Sequence, residues 1–180
     1  IRGDQRRIED SMRGILSNMA EAVLRQHDPH PMERDMQELQ SLLSESRKRA
    51  FVHVNNTFNR DMRYYLQYMD MRREQYAVLH RMTDALPRLR SVPGQSHIVA
   101  SFLRMTAYSL HEYNNAACLL EQLAEIRRYF RSGELPATRE EFEARAVLYE
   151  IVNELHRLLQ LKKDFSDSLS PSQIRTFWKS

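Results

Sequence analysis

The chain has 180 residues, with four glycines, six prolines and a single cysteine, and its 27 basic and 24 acidic residues leave a formal charge of +3. So few glycines leave little room for the tight hairpins of an all-β sandwich or barrel, and one cysteine cannot staple a disulfide scaffold. An apolar fraction of 42% is too high for a disordered chain, and no apolar run approaches the about 20 residues that a bilayer span needs.

Proline and glycine cluster at Asp28-Pro29-His30-Pro31, Val92-Pro93-Gly94, Gly133-Glu134-Leu135-Pro136 and Ser170-Pro171. Between them apolar residues recur at steps of three and four, which keeps each set on one helical face. The first segment carries Ile8, Met12, Ile15, Leu16, Met19 and Val23. The second begins with Met32, Met36, Leu39, Leu43 and Ala50, and continues with Met62, Leu66, Met69, Tyr76, Leu79 and Leu86. As one helix this second segment would run roughly 90 Å, too long for a small domain. Asn55-Asn56-Thr57-Phe58-Asn59 is the expected break, near 55–60, and Pro87 is expected to kink the chain again. Pro31 suits the first helical position of the segment.

The third segment has Ile98, Val99, Phe102, Leu103 and Leu110, then Leu119, Leu120, Leu123, Ile126 and Phe130. Asn114-Asn115 divides it, and Gly133 suits a helix end that needs a left-handed residue. The fourth segment has Val147, Leu148, Ile151, Val152, Leu155, Leu158 and Leu159. Thr138 with Glu141 reads as a capping box opening this helix, and Ser170-Pro171-Ser172-Gln173 as another opening a short last helix. The expected fold is all-α: residues 1–180 form one helical-bundle domain, an antiparallel bundle of five or six long helices plus a short C-terminal helix.

The charges are interleaved, without the basic face or tail that nucleic-acid binders present, so no nucleic-acid partner is expected. Of the 27 basic residues 23 are arginine, which grips carboxylates in a planar fork. Cys118, within Ala116-Ala117-Cys118-Leu119-Leu120, reads as a buried core thiol. Seven histidines include only one neighbouring pair, His27 and His30, and no Glu-x-x-His pair of the di-iron kind. There is no nucleophile elbow and no glycine-rich phosphate loop. No enzyme activity, metal or cofactor is therefore expected.

Two constellations could hold a ligand. Arg72-Arg73 interrupts the apolar stripe, and one face at helical spacing holds Met69, Arg73, Tyr76 and His80. A cation beside aromatic rings suits an aromatic carboxylic acid. The alternative is an arginine paired with Asp70, Glu74 or a neighbouring helix, its stem on the core. The second constellation is Tyr108 and His111, three apart on one face, with Glu112 and Asn114 nearby. It reads equally as a polar seam between helices.

Ser109-Leu110-His111-Glu112-Tyr113-Asn114, Ala117-Cys118-Leu119-Leu120-Glu121-Gln122-Leu123 and above all Leu135-Pro136-Ala137-Thr138-Arg139-Glu140-Glu141-Phe142-Glu143-Ala144-Arg145-Ala146 carry a family resemblance. With Asn153-Glu154-Leu155 and Lys162-Lys163-Asp164-Phe165, they resemble the C-terminal cytoplasmic domain of the aromatic acid exporter family of bacterial membrane proteins. The resemblance implies an N-terminal transmembrane half as partner, a place on the cytoplasmic side of the bacterial cell membrane, and a role in assembly or regulation without catalysis. A homo-oligomer is also expected. Arg2, Arg6 and Arg7 at the start fit a cytoplasmic membrane flank, and a chain opening on Ile1 is expected to be processed or cut from something longer. The alternative expectation is a helical sensor module that binds a small aromatic acid through Arg73, Tyr76, His80, Tyr108 and His111.

Overall fold

The computed structural model describes residues 2–25, 32–56 and 60–178, the side chains of 53–61 excepted. Six longer helices follow in order: α1 (Arg2–Leu24), α2 (Met32–Asn56), α3 (Arg60–Ala85), α4 (Gln95–Tyr108), α5 (Ala117–Ser132) and α6 (Arg139–Ser168). A short α7 (Pro171–Phe177) closes the chain, and the described residues contain no strand.

Side-chain pairs between helices fix their directions. Early Asp4 of α1 meets late Arg49 of α2 at 2.8 Å, and late Asn18 meets early Asp35 at 3.3 Å. Arg47 of α2 meets Asp70 of α3 at 3.0 Å, and Arg81 of α3 meets Glu154 of α6 at 3.0 Å. Arg127 of α5 reaches Asn153 of α6 at 3.0 Å, and Phe130 packs edge-on to Tyr149. Where one helix of a contact advances the other goes back, as in Asp4–Arg49 and Asn18–Asp35, Gln75–Leu158 and Arg81–Glu154, and Arg127–Asn153 and Phe130–Tyr149, so these neighbours run antiparallel. Helix α1 lies between α2 and α4, α3 between α2 and α6, and α4 also touches α5 and α6, which closes the bundle.

The apolar stripes explain this packing. All six stripe residues of α1 are buried, and so are Val147, Leu148, Ile151, Val152, Leu155, Leu158 and Leu159 of α6. They join one continuous core with Leu39 and Leu43 of α2, Leu79 and Met82 of α3, and Val99, Phe102 and Leu103 of α4. Burying a side chain of this size is worth about 1.5–3 kcal/mol, so the stripes, rather than helix propensity, hold the bundle.

The breaks have local causes. The break expected near 55–60 falls where α2 ends at Asn56 and α3 begins at Arg60; residues 57–59 lie outside the described residues. Pro31 also lies outside them, and α2 begins at Met32. Pro87 does more than kink its helix: α3 stops at Ala85 and a single 3₁₀ turn, Leu86–Arg88, follows. Asn114 and Asn115 do divide the third segment. Their side-chain oxygens accept from the amides of Ala116 (2.7 Å) and Ala117 (3.0 Å), which holds Ala116 in the left-handed region at φ 63° and lets α5 start.

Three local expectations change. Gly133 is extended (φ −71°, ψ 165°) rather than left-handed, because the strand of chain after it is pinned by Arg145, whose guanidinium donates to the Glu134 carbonyl at 2.5 Å. Thr138 accepts from the Glu141 amide at 3.1 Å, but Glu141 reaches back to the amide of Ala137 rather than to that of Thr138. Ser170 and Gln173 do form the complete reciprocal box. Cys118 is exposed, not buried: α5 buries Leu119 and Leu123, and that phase turns Cys118 outward.

Candidate functional site

The polar residues of this bundle gather in two places. One is a buried cluster at the end where α1 and α3 begin. The other is an open groove between α2 and α3.

The buried cluster grows from α3. Its core face runs Tyr64, Tyr68, Arg72, Gln75, Leu79 and Met82, so two polar side chains, Arg72 and Gln75, and two tyrosine hydroxyls fall in phase with apolar ones. Arg72 has no exposed surface. Its Nε donates to the Tyr68 hydroxyl at 3.0 Å, Nη1 to Gln75 Oε1 at 2.8 Å, and Nη2 to Glu9 Oε1 of α1 at 3.0 Å. Tyr68 in turn donates to the same Glu9 oxygen at 2.7 Å. Gln75 donates to the Leu158 carbonyl of α6 at 2.8 Å. A buried charge survives only when its hydrogen bonds are made, and every guanidinium nitrogen here has a partner. Burial opposes the Arg72 charge, yet Tyr68 and Glu9 outweigh it and leave its pKa raised.

Lys162 of α6 adds a second buried cation. Its Nζ donates to the Glu112 carbonyl at 2.6 Å and lies 5.4 Å from the rings of Phe165 and Trp178 and 6.0 Å from that of Tyr68. Burial, followed by the Arg72 charge, pushes its pKa well below the ordinary lysine value, against the pull of Glu9 and Glu112. The Glu112 side chain accepts from Tyr64 at 2.5 Å and from Gln5 of α1 at 3.2 Å. The Trp178 indole donates to the Tyr64 hydroxyl at 3.1 Å. Burial, then the bond to Glu112, raises the Tyr64 pKa, so the phenol stays a donor. Beside Lys162 lies a cavity of ≈ 10 Å³, also lined by Gln75, Thr106, His111 and Asn114. That volume holds about one water, and the buried Thr106 hydroxyl has no protein partner.

The groove between α2 and α3 is larger, ≈ 970 Å³, and opens to solvent. Arg47, Lys48 and Phe51 line it from α2, and Asp70, Arg73, Glu74 and Tyr76 from α3. Arg73 shares Asp70 with Arg47, at 3.9 and 3.0 Å respectively.

The five singled-out residues separate accordingly. Arg73 and Tyr76 line the groove together. His80 stands exposed one turn on, its ring 6.3 Å from Tyr76 and its Nδ1 3.3 Å from Asp84. Tyr108 and His111 do not line the groove. Tyr108 is 86% exposed at the end of α4, and His111 lines the small cavity beside Lys162. Among the described residues no three His, Cys, Asp or Glu side chains gather as a metal set; His27 and His30 lie outside them. No helix of the described residues is long and apolar enough to cross a membrane.

Sequence reading missed Glu9, Tyr68, Gln75 and Lys162; it named Arg72 as interrupting the stripe, and its alternative of an arginine paired with a neighbouring helix, stem on the core, is the place Arg72 takes beside Glu9. A signal was present. Lys162 sits three after Leu159 and three before Phe165, within the stripe rather than beside it. Arg72 keeps the spacing of Tyr68, Gln75 and Leu79, whereas Arg73, one residue on, turns out to solvent.

The fold is thus an all-α bundle with the Arg72–Glu9 ion pair inside it and an open groove between α2 and α3. The chain belongs to the family described as "Putative aromatic acid exporter C-terminal domain", whose sequence model matches residues 1–163. It is 29% identical over 161 residues to "Uncharacterized protein YqjA" of Bacillus subtilis (strain 168), covering 89% of this chain and 50% of that protein. The chain thus spans about half the length of that relative. Its fold matches the crystal structure titled as a putative membrane protein from Clostridium difficile 630, with a TM-score of 0.82 and 27% identity, over 92% of this chain and 96% of the other.

Proposed function

We propose that this chain is the cytoplasmic half of a bacterial aromatic acid exporter, joined to an N-terminal transmembrane half. Its task is to assemble protomers into a homo-oligomer or to regulate the pore through helix packing, without a catalytic step. The family match over residues 1–163 carries this reading, and the half-length cover of the Bacillus relative supports it. The test is efflux of benzoate-type acids from cells that make the whole membrane protein or a version cut before Arg2. The cut version should reach the membrane and lose export or its control. Unchanged efflux by the cut version would remove the assembly and regulatory role.

A second reading is a sensor for a small aromatic acid. The observation favouring it is that Arg73 and Tyr76 share one groove with Arg47 and Lys48, a cation-and-ring set suited to a carboxylate on a ring. Calorimetry with benzoate should then show saturable binding that Arg73→Ala weakens, and equal heats from both proteins would count against it.

A further inference from the structure

We propose that the end of the bundle at which α1 begins docks on an anionic membrane surface. Hydrogen bonds define that end. Gln5 and Tyr64 both reach Glu112, and Trp178 reaches Tyr64, which gathers the starts of α1 and α3, the α4–α5 loop and the segment after α7.

The charges at this end are one-sided. Arg6, Arg7, Arg63, Arg104 and Arg175 are exposed, and among the described residues none of them has an ion-pair partner. The nearby carboxylates are already engaged: Asp4 by Arg49 at 2.8 Å, Asp10 by Arg13 at 2.8 Å, and Asp167 by Lys163 at 2.6 Å. At the opposite end more of the arginines are paired: Arg88 with Glu150 at 2.6 Å, Arg145 with Glu141 at 2.5 Å and Arg34 with Glu38 at 3.0 Å, while Arg90 and Arg131 are exposed there without an ion-pair partner among the described residues. Unpaired like charges repel one another in isolation and are relieved by a surface of opposite sign.

The same end exposes apolar and amphipathic side chains that a purely ionic partner would not need. Tyr108 is 86% exposed, and Met105 and Tyr113, near it in the sequence, and Ile174 of α7 are exposed as well. Tyrosine is the residue that settles at the headgroup level, apolar ring inward and hydroxyl in water. Exposed arginines at the same end as exposed tyrosines therefore match a bilayer with acidic headgroups better than a free phosphate or a nucleic-acid backbone.

The orientation in the cell rests on the proposed function, since a transmembrane half entering at Arg2 would hold this end against the bilayer. The binding itself does not rest on it, and its test has no transport readout. The 180-residue chain is sedimented with phosphatidylcholine vesicles, with and without phosphatidylglycerol. It should be retained on the anionic vesicles and released by salt. A juxtamembrane basic residue contributes about 1 kcal/mol, so Arg6→Gln with Arg7→Gln should weaken retention by about 25-fold. Arg34→Gln with Arg128→Gln, at the other end, should leave it unchanged. Equal retention on neutral vesicles, indifference to the Arg6 and Arg7 changes, or tighter binding to duplex DNA than to the vesicles would overturn the proposal.

Discussion

Arg72 Nη2 lies 3.0 Å from Glu9 Oε1, a contact between α3 and α1 made inside the core. The pair costs desolvation on both sides, so its presence says little about net stability, while its rupture says much. Arg72→Met should destabilise by about 3–5 kcal/mol, because Glu9 is left charged and buried. Adding Glu9→Met should recover most of that loss. Urea unfolding of the single and double variants checks both, and a double variant no better than the single would show that the pair is more than mutual neutralisation.

Arg73→Ala is the contrasting change. Its guanidinium is exposed and sits 3.9 Å from Asp70, and exposed pairs contribute about 0–1 kcal/mol. The midpoint in urea should barely move, so any loss of ligand or partner binding by this variant is not a folding effect.

Lys162 makes stability depend on pH. Burial and Arg72 hold its pKa well below 10.5 in the folded chain, so the unfolded chain binds more protons between the folded and unfolded values. Stability therefore rises as pH rises through that window and falls as pH drops. The rise ends near pH 10, where the raised phenols of Tyr64 and Tyr68 act with the opposite sign. Wild type should unfold at higher urea at pH 9.5 than at pH 7, and Lys162→Met should flatten the difference. A flat wild-type profile would mean that the lysine stays charged throughout.

Phe177 stacks on Tyr64 with ring centroids 4.1 Å apart and planes 4° from parallel. It is the only buried residue of α7. Phe177→Ala should release the segment and leave the rest of the bundle folded, since Phe177 is the one residue that α7 adds to the core the other helices share. The expected signature is red-shifted Trp178 emission with nearly unchanged helical circular dichroism. An unshifted emission would show that Trp178 is held by its own bond to Tyr64.

Thr138→Ala should cost about 1 kcal/mol by removing the cap of the Glu141 amide, read as a small shift of the thermal midpoint.

The bundle was legible because its stripes are long. Ile8 to Val23 and Val147 to Leu159 repeat too often at helical spacing to be anything else, and proline and asparagine mark where the chain turns. The candidate sites were less legible, because a charge is expected on the solvent face. A one-residue choice of phase put Arg73 where Arg72 belongs, and only tertiary packing shows that Glu9 waits on α1 to receive it. Gly133 shows the same limit at shorter range: its backbone answers to Arg145, twelve residues on. The split of Arg73 and Tyr76 from Tyr108 and His111 likewise depends on which helices become neighbours, which spacing within one helix does not encode.

Cys118 is the sole cysteine and Trp178 the sole tryptophan. The thiol is exposed in the first turn of α5, and the indole rests on the buried cluster through Tyr64 and Lys162. The unaltered chain thus carries one site for a thiol-reactive acceptor and one natural donor. Energy transfer between them would follow the departure of the last helix from the bundle, with no residue changed.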